Sequence, residues 1–397
     1  MNILFYCRKS RYGHRAIGGA EVSLQLIAEK LAGGEANVYF GTEDVPDVAS
    51  FGKKRINGVE VYSLQPMRLW DKAATLMRGR VPSKDSWRRR FLAHIVKTER
   101  IDLVYAYDTI RDVPNLLKAR AQYGLDVKIV KRMAGLFWLA CIENGRARRE
   151  QIEWAINSVD AVNYLTPAFK ELVLQKARQH HVTIAPKREF IHDIGTNLDL
   201  FRYRWMPRQD RGFRIVSVSR FSGYQKRQDI LIDCLSKLLH TDVTVEFLGV
   251  GDTMNSCRTR CQEAGLSDRV TFHGFCDQER LPHILEQADL FVLATNYEGL
   301  PKSLLEAMAI GTPCLVSDVV PLNRYIEDGV TGYRAGNTPE KWAAKIDFII
   351  RERYRSGEIS RQARKFIEHY HDADENVIGY HEQFEALITE EAKRSNG

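Results

Sequence analysis

The sequence predicts an α/β fold of doubly wound parallel sheets in two domains, and three features carry that expectation. Short runs of apolar residues recur through the chain, separated by stretches with helical spacing. Runs that lack polar alternation suit strands buried on both faces of a parallel sheet. The chain has 397 residues, more than one ordinary domain holds. The alternation of strand and helix also runs twice, on either side of residues 195–211, which have mixed charge and no periodicity and read as a linker.

In the first half, residues 2–7 form a strand that leads into Gly18-Gly19-Ala20-Glu21 and a helix over 20–31. Adjacent glycines let backbone approach a ligand closely, and a helix start supplies unpaired N–H donors. The loop is neither Gly-x-Gly-x-x-Gly nor a Lys-Ser/Thr phosphate loop, which argues against a nicotinamide or ATP site. Strands follow at 38–40, 59–63, 101–107, 127–131, 161–165 and 190–194, with helices near 147–159 and from Pro167. Tyr107 and Asp108 close the strand at 101–107, at the carboxyl end where open parallel sheets place ligands.

The second half repeats the pattern, with strands at 213–218, 243–249 and 270–273 and helices near 227–239, 254–264 and 279–286. It culminates in residues 289–317, read as a strand at 290–293, a helix over 302–310 and a strand at 313–316. Pro301 suits the first turn of that helix and Gly311 its end. Glu298 and Glu306 stand eight apart, one before the helix and one inside it, and packing requires neither. A helix start at a strand end suits a phosphate, and carboxylates beside it suit the hydroxyls of a sugar and a ribose. After the strand at 213–218, Arg220 and Lys226 flank a glycine turn and could clamp a diphosphate. Gly249 and Gly251 would let the chain pass close to a ring or phosphate. Together these three strand ends outline a nucleotide-sugar site. Residues from about 340 on are helical and charged, with Tyr370, Tyr380 and Phe384 as expected anchors.

The formal charge of +7 is uneven: residues 1–200 hold 32 Lys and Arg against 22 Asp and Glu, and residues 201–397 hold 26 against 29. The basic half suggests an acidic partner there, such as a phosphorylated acceptor or an anionic membrane surface. Within it, residues 68–100 interleave basic residues with Trp70 and Trp87, a pattern suited to peripheral contact with an anionic membrane. A solvated helix face is the plainer alternative. No nucleic-acid motif occurs, so nucleic acid is not expected as a partner. No uncharged apolar run of 18 residues exists, and Met1 leads into a strand without a signal-peptide pattern; with seven scattered cysteines, this makes a reduced, cytoplasmic location the expectation, with possible attachment to the inner face of the membrane. Cys257, Cys261 and Cys276 lack the pairing or His partner of a metal site, so no metal is expected.

The stretch Glu298-Gly-Leu-Pro-Lys-Ser-Leu-Leu-Glu306 resembles the Glu-x7-Glu signature of the retaining glycosyltransferases of family 4, which have the GT-B fold. Arg220, Lys226, Val270-Thr-Phe-His-Gly274 and Gly18-Gly19-Ala20-Glu21 resemble further motifs of that family in the same order. The resemblance implies two Rossmann-like domains facing across a cleft: 1–195 for the acceptor and 205–375 for the donor, with 376–397 a helix that packs back on the first. It implies a nucleotide diphosphate sugar donor held by Arg220, Lys226, Gly251, Gly299, Leu300, Lys302, Ser303 and Glu306, with Glu306 on the ribose, Glu298 on the sugar and the backbone around Leu300–Ser303 on the phosphates. Gly18, Gly19 and His14 would form the acceptor or phosphate loop. It further implies metal-independent transfer with retention, with no cofactor, to a glycan or lipid-linked acceptor, as in surface polysaccharide or lipopolysaccharide synthesis. The family often places a histidine where Tyr107 and Asp108 stand, so the contact from the first half is left among Asp108, Tyr107 and His14, beside Glu298. Other reactions on the same fold are a nucleotide-sugar epimerase or a phosphorylase, and a non-catalytic sugar or nucleic-acid binding protein is the alternative of another class.

Overall fold

The computed structural model describes residues 1–13, 18–65, 83–208, 212–223 and 225–395, with side chains through residue 389. The chain forms two compact units: Met1–Ile194 with the segment from Asp374 on, and Gly195–Ala373.

The first unit holds β1 (Asn2–Tyr6), β2 (Asn37–Glu43), β3 (Lys53–Ile56), β4 (Val59–Leu64), β5 (Leu103–Ala106), β6 (Lys128–Met133), β7 (Ala161–Tyr164) and β8 (Glu189–Ile191). They lie in the order β3-β4-β2-β1-β5-β6-β7-β8, parallel except for the β3–β4 hairpin. Sequence reading overlooked β3, although its turn, Asn57-Gly58, has positive φ at both residues, as a tight hairpin requires. It also overlooked the helices Asp112–Tyr123 and Phe137–Glu143. The central strands are buried on both faces, with Ile3, Leu4, Phe5, Leu103, Val104 and Tyr105 all inaccessible.

Residues 66–82, half of the segment read as a membrane-contact surface, lie outside the described residues. The other half forms the helix Lys84–Thr98, capped by Ser83, whose hydroxyl accepts from the Ser86 N–H. Phe91, Leu92, Ile95 and Val96 are buried in the unit's own core, and the Trp87 ring packs edge-on against Phe51 at 4.9 Å. The described apolar residues of this helix thus serve packing, while Arg88 pairs with Glu43 at 2.7 Å.

The second unit holds β9 (Phe213–Val218), β10 (Val243–Leu248), β11 (Val270–Gly274), β12 (Leu290–Leu293), β13 (Cys314–Ser317) and β14 (Tyr333–Ala335), all parallel, in the order β11-β10-β9-β12-β13-β14. Successive residues feed opposite faces: Ile215, Val245, Val292 and Leu315 enter one core, while Val216, Leu248, Phe291 and Val316 enter the other. β14 was not anticipated.

Residues 195–208 are not a free linker. Phe201 and Trp205 are buried in the second unit's core, and the Trp205 indole N–H donates to the Ala288 carbonyl at 2.7 Å. The segment lacks periodicity because it is irregular, and it is held by two aromatic anchors that no regular pattern would reveal. Gly195 has φ +69, and a Cβ there would lie 2.2 Å from the His371 carbonyl oxygen, so the two segments through which the chain enters and leaves this unit run in close contact. After the helices Pro339–Arg351 and Ser356–Tyr370, the helix Ala373–Ser395 packs on the first unit. There Tyr380 and Phe384 are buried against Tyr105, and the Tyr380 hydroxyl donates to the His192 carbonyl at 3.1 Å. Tyr370, expected as a third anchor, is exposed instead.

Candidate functional site

In each sheet the strand order reverses beside the first strand, between β1 and β5 in one unit and between β9 and β12 in the other. Open parallel sheets bind ligands outside the carboxyl ends of strands at such a point. The residues singled out in the second half lie there.

Lys226 and Thr295 form an isolated antiparallel bridge, which ties the loop after β9 to the loop after β12. Main-chain bonds flank it: the Asn296 N–H donates to the Gln225 carbonyl at 2.8 Å, and the Arg227 N–H to the Ala294 carbonyl at 2.9 Å. This pairing brings the Lys226 ammonium into an ion pair with Glu298 Oε1. The other carboxylate oxygen accepts from Gln225 Nε2 at 3.3 Å. Glu298 is only 4% exposed, and a buried carboxylate without such partners would be costly.

Arg220 stands on the turn after β9, which Gln228 fixes by donating to Ser219 Oγ and to the Arg220 carbonyl, both at 3.0 Å. Its side chain is exposed, and among the described residues its guanidinium makes no hydrogen bond or ion pair. Beside it, the hydroxyls of Ser222 and Thr253 are buried without a hydrogen-bond partner. The site therefore combines a satisfied carboxylate with a cation open to an incoming anion.

Gly251 has a role in the fold itself. A Cβ there would lie 2.0 Å from the Phe221 carbonyl oxygen, and Phe221 donates its N–H to the Val250 carbonyl at 3.1 Å. Gly249 meets the Ser219 carbonyl oxygen equally closely. These glycines let the loop after β10 pack on the Arg220 turn, a reason the sequence did not disclose.

The helix Lys302–Ile310 is apolar nearly all round and buried, with Gly311 closing it at φ +95. No side chain caps its start, where Gly299, Leu300 and Ser303 lie. The side chains of Lys302 and Glu306 have partners within the protein. The Lys302 ammonium is buried and donates to the Gly195 carbonyl at 2.9 Å, with Glu306 at 3.9 Å. Glu306 in turn accepts from Gln278 Nε2 at 3.3 Å. Lys302 thus anchors the chain's entry into this unit, and only its backbone lies at the helix start.

In the first unit, Gly18 and Gly19 begin the helix Gly19–Ala32, and His14 lies outside the described residues. Tyr107 donates its hydroxyl to Glu21 Oε1 at 2.7 Å, and burial raises its pKa well above the usual phenol value. Asp108 caps the next turn, accepting from the Ile110 N–H at 2.7 Å, and pairs with Arg8 at 2.7 Å. Arg8 also holds Asp112 at 2.5 Å. Burial and the neighbouring Asp108 push the Asp112 carboxyl up to about 7, against the opposing pull of Arg8. Beside them Lys131 is buried and, among the described residues, bonds to the carbonyls of Tyr107 and Arg132, each at 3.3 Å, and to the Met133 sulfur. Burial lowers its pKa to about 7. Arg8 and Lys131 were missed in sequence because each sits within or beside an apolar strand run whose only readable signal was its hydrophobicity, and Asp112 because it opens the overlooked helix Asp112–Tyr123. Among the described residues, no group of three or more His, Cys, Asp and Glu could hold a metal ion, and no helix is long and apolar enough to cross a membrane.

Residues 206–366 match the family model described as glycosyl transferases group 1. Over 151 residues the chain is 36% identical to mannosylfructose-phosphate synthase of Agrobacterium fabrum, a match that covers 33% of each chain and so spans only a third of that relative. The fold is similar to that of sucrose-phosphate synthase from Thermosynechococcus elongatus, with a TM-score of 0.78 at 17% identity over 98% of this chain and 99% of that one. It is also similar to Anabaena HepE, solved in complex with UDP-glucose, with a TM-score of 0.70 at 19% identity over 98% and 100% of the two chains. Two doubly wound units of this kind define the GT-B fold. The chain has that fold, and the region that matches the group 1 model lies in the second unit.

Proposed function

We propose that the protein transfers a glycosyl group from a nucleotide diphosphate sugar to a glycan or lipid-linked acceptor, with retention of configuration and without a metal. The observation that carries this reading is the pairing of Lys226 and Gln225 with the buried Glu298, beside Arg220, whose guanidinium has no partner among the described residues, at the switch point of the second sheet. Arg220 would take the diphosphate by bidentate hydrogen bonds, and Lys226 would add a point charge as negative charge develops on the leaving group. The open start of the helix Lys302–Ile310 offers further donors to phosphate. Glu298 would then face the sugar hydroxyls and Glu306 the ribose. The similarity to a protein solved with UDP-glucose supports a donor of this class. On the acceptor side, Arg8, Asp108 and Tyr107 gather at the corresponding point of the first sheet and would receive the acceptor hydroxyl. The basic first half favours an acceptor that carries negative charge.

A thermal-shift panel of UDP-, GDP-, ADP- and TDP-sugars identifies the donor, since a ligand at 100 times its dissociation constant adds about 2.7 kcal/mol of stability. Donor hydrolysis and transfer are then measured for Glu298→Gln and Arg220→Ala. Both variants are expected to lose turnover, and undiminished turnover in both would refute the assignment.

A further inference from the structure

We propose that Gln225 is a positioning residue for Glu298, one that holds the carboxylate in place when Lys226 turns to the donor's diphosphate; the inference rests on the donor-site reading above. In the structure Glu298 has two partners on the neighbouring loop. Lys226 holds one oxygen through its charge, and Gln225 Nε2 holds the other at 3.3 Å while also donating to the Tyr297 carbonyl at 3.0 Å. The same amide therefore fixes both the carboxylate and the main chain that carries it.

The two partners differ in what a donor does to them. A diphosphate carries more negative charge than a carboxylate, so it competes for the Lys226 ammonium. A neutral amide has no comparable attraction to phosphate. Once Lys226 is shared, Gln225 is the partner on this loop that keeps a nearly inaccessible carboxylate hydrogen-bonded, and losing it leaves a desolvated charge to swing after the ammonium. The loop itself does not depend on the Gln225 side chain, because its main-chain carbonyl already accepts from the Asn296 N–H at 2.8 Å and the Thr295 hydroxyl at 3.1 Å. Side-chain removal should accordingly separate sugar recognition from nucleotide recognition.

The test is isothermal titration of wild type and Gln225→Met, with Gln225→Ala as a second variant should the first not fold. The probes are the nucleotide sugar that gives the largest shift in the panel and its bare nucleoside diphosphate. The expected result is a bare-nucleotide dissociation constant within about twofold of wild type and a nucleotide-sugar constant roughly tenfold weaker, the size of one lost hydrogen bond to a charged group. Retained thermal stabilisation by the bare nucleotide shows that the variant is folded. Equal weakening for both probes would make Gln225 a brace of the loop and overturn the inference, as would no change for either. Wild type that binds no member of the panel would refute the donor reading itself, an outcome visible before any variant is made.

Discussion

The two switch points share a topology and differ in how their charges are satisfied. At β9 and β12 a buried carboxylate is matched by one ammonium and one amide, and an exposed arginine nearby has no partner among the described residues. At β1 and β5 one guanidinium serves two carboxylates, Asp108 and Asp112, and among the described residues the buried Lys131 bonds to carbonyls and a sulfur. The first arrangement leaves a cation open to a polyanion. The second keeps its charges within the protein and leaves carboxylate and phenol oxygens to meet hydroxyl groups. The same sheet reversal offers a place for a ligand in both units, and the side chains on the strand ends would decide which kind it takes.

The largest expected effect is at Glu298. Replacing it with Gln keeps the shape and removes the charge, and kcat/KM for transfer should fall roughly 100-fold, as for the loss of contacts to a charged group worth about 3 kcal/mol. Asp108→Asn, measured in the same assay, should act mainly through KM for the acceptor; a change confined to KM for the donor would blur the distinction between the two sites. Next in size is Gly251→Ala. Its Cβ would collide with the Phe221 carbonyl, and chemical denaturation should show a loss of about 1–3 kcal/mol. A neutral result would mean that the loop after β10 relaxes freely.

A third effect, spread over pH and small within any one unit, concerns Lys131, whose folded pKa is lowered to about 7 by burial. Between that value and the ordinary lysine pKa, the unfolded chain binds the proton and the folded chain does not. Stability therefore rises with pH over this window, by at most about 1.4 kcal/mol per unit, as the penalty for burying the charged lysine, full below pH 7, is relieved. Comparing thermal unfolding of wild type and Lys131→Met from pH 7 to pH 10 isolates it. The variant should gain less than wild type across the range, and parallel curves would show that the lysine stays charged.

The second unit was the more legible in sequence. The strands at Phe213–Val218 and Leu290–Leu293 and the helix Lys302–Ile310 were placed to the residue, because buried parallel strands are unbroken apolar runs and the helix is bounded by Pro301 and Gly311. Glu298 stood out for the opposite reason, as a charge with no packing role. What could not be read was pairing across loops. Gln225 looks ordinary until the Lys226–Thr295 bridge turns it toward Glu298, and no spacing in the chain reveals that the Lys302 ammonium bonds the Gly195 carbonyl. The hairpin strand Lys53–Ile56 was missed for want of apolar residues, though its Asn-Gly turn was present. Long-range contacts of this kind depend on register and chain crossing, which hydrophobic periodicity does not encode.

The central claim is that the β9–β12 crevice divides a nucleotide diphosphate sugar between Arg220 on the diphosphate and Glu298 on the sugar. Calorimetric titration of Arg220→Ala and Glu298→Gln with the donor found in the panel, and with its bare nucleoside diphosphate, addresses it most directly. Arg220→Ala should weaken both probes by about tenfold or more, and Glu298→Gln should weaken only the nucleotide sugar. Equal weakening of both probes in both variants, or unaltered binding in Arg220→Ala, would contradict it.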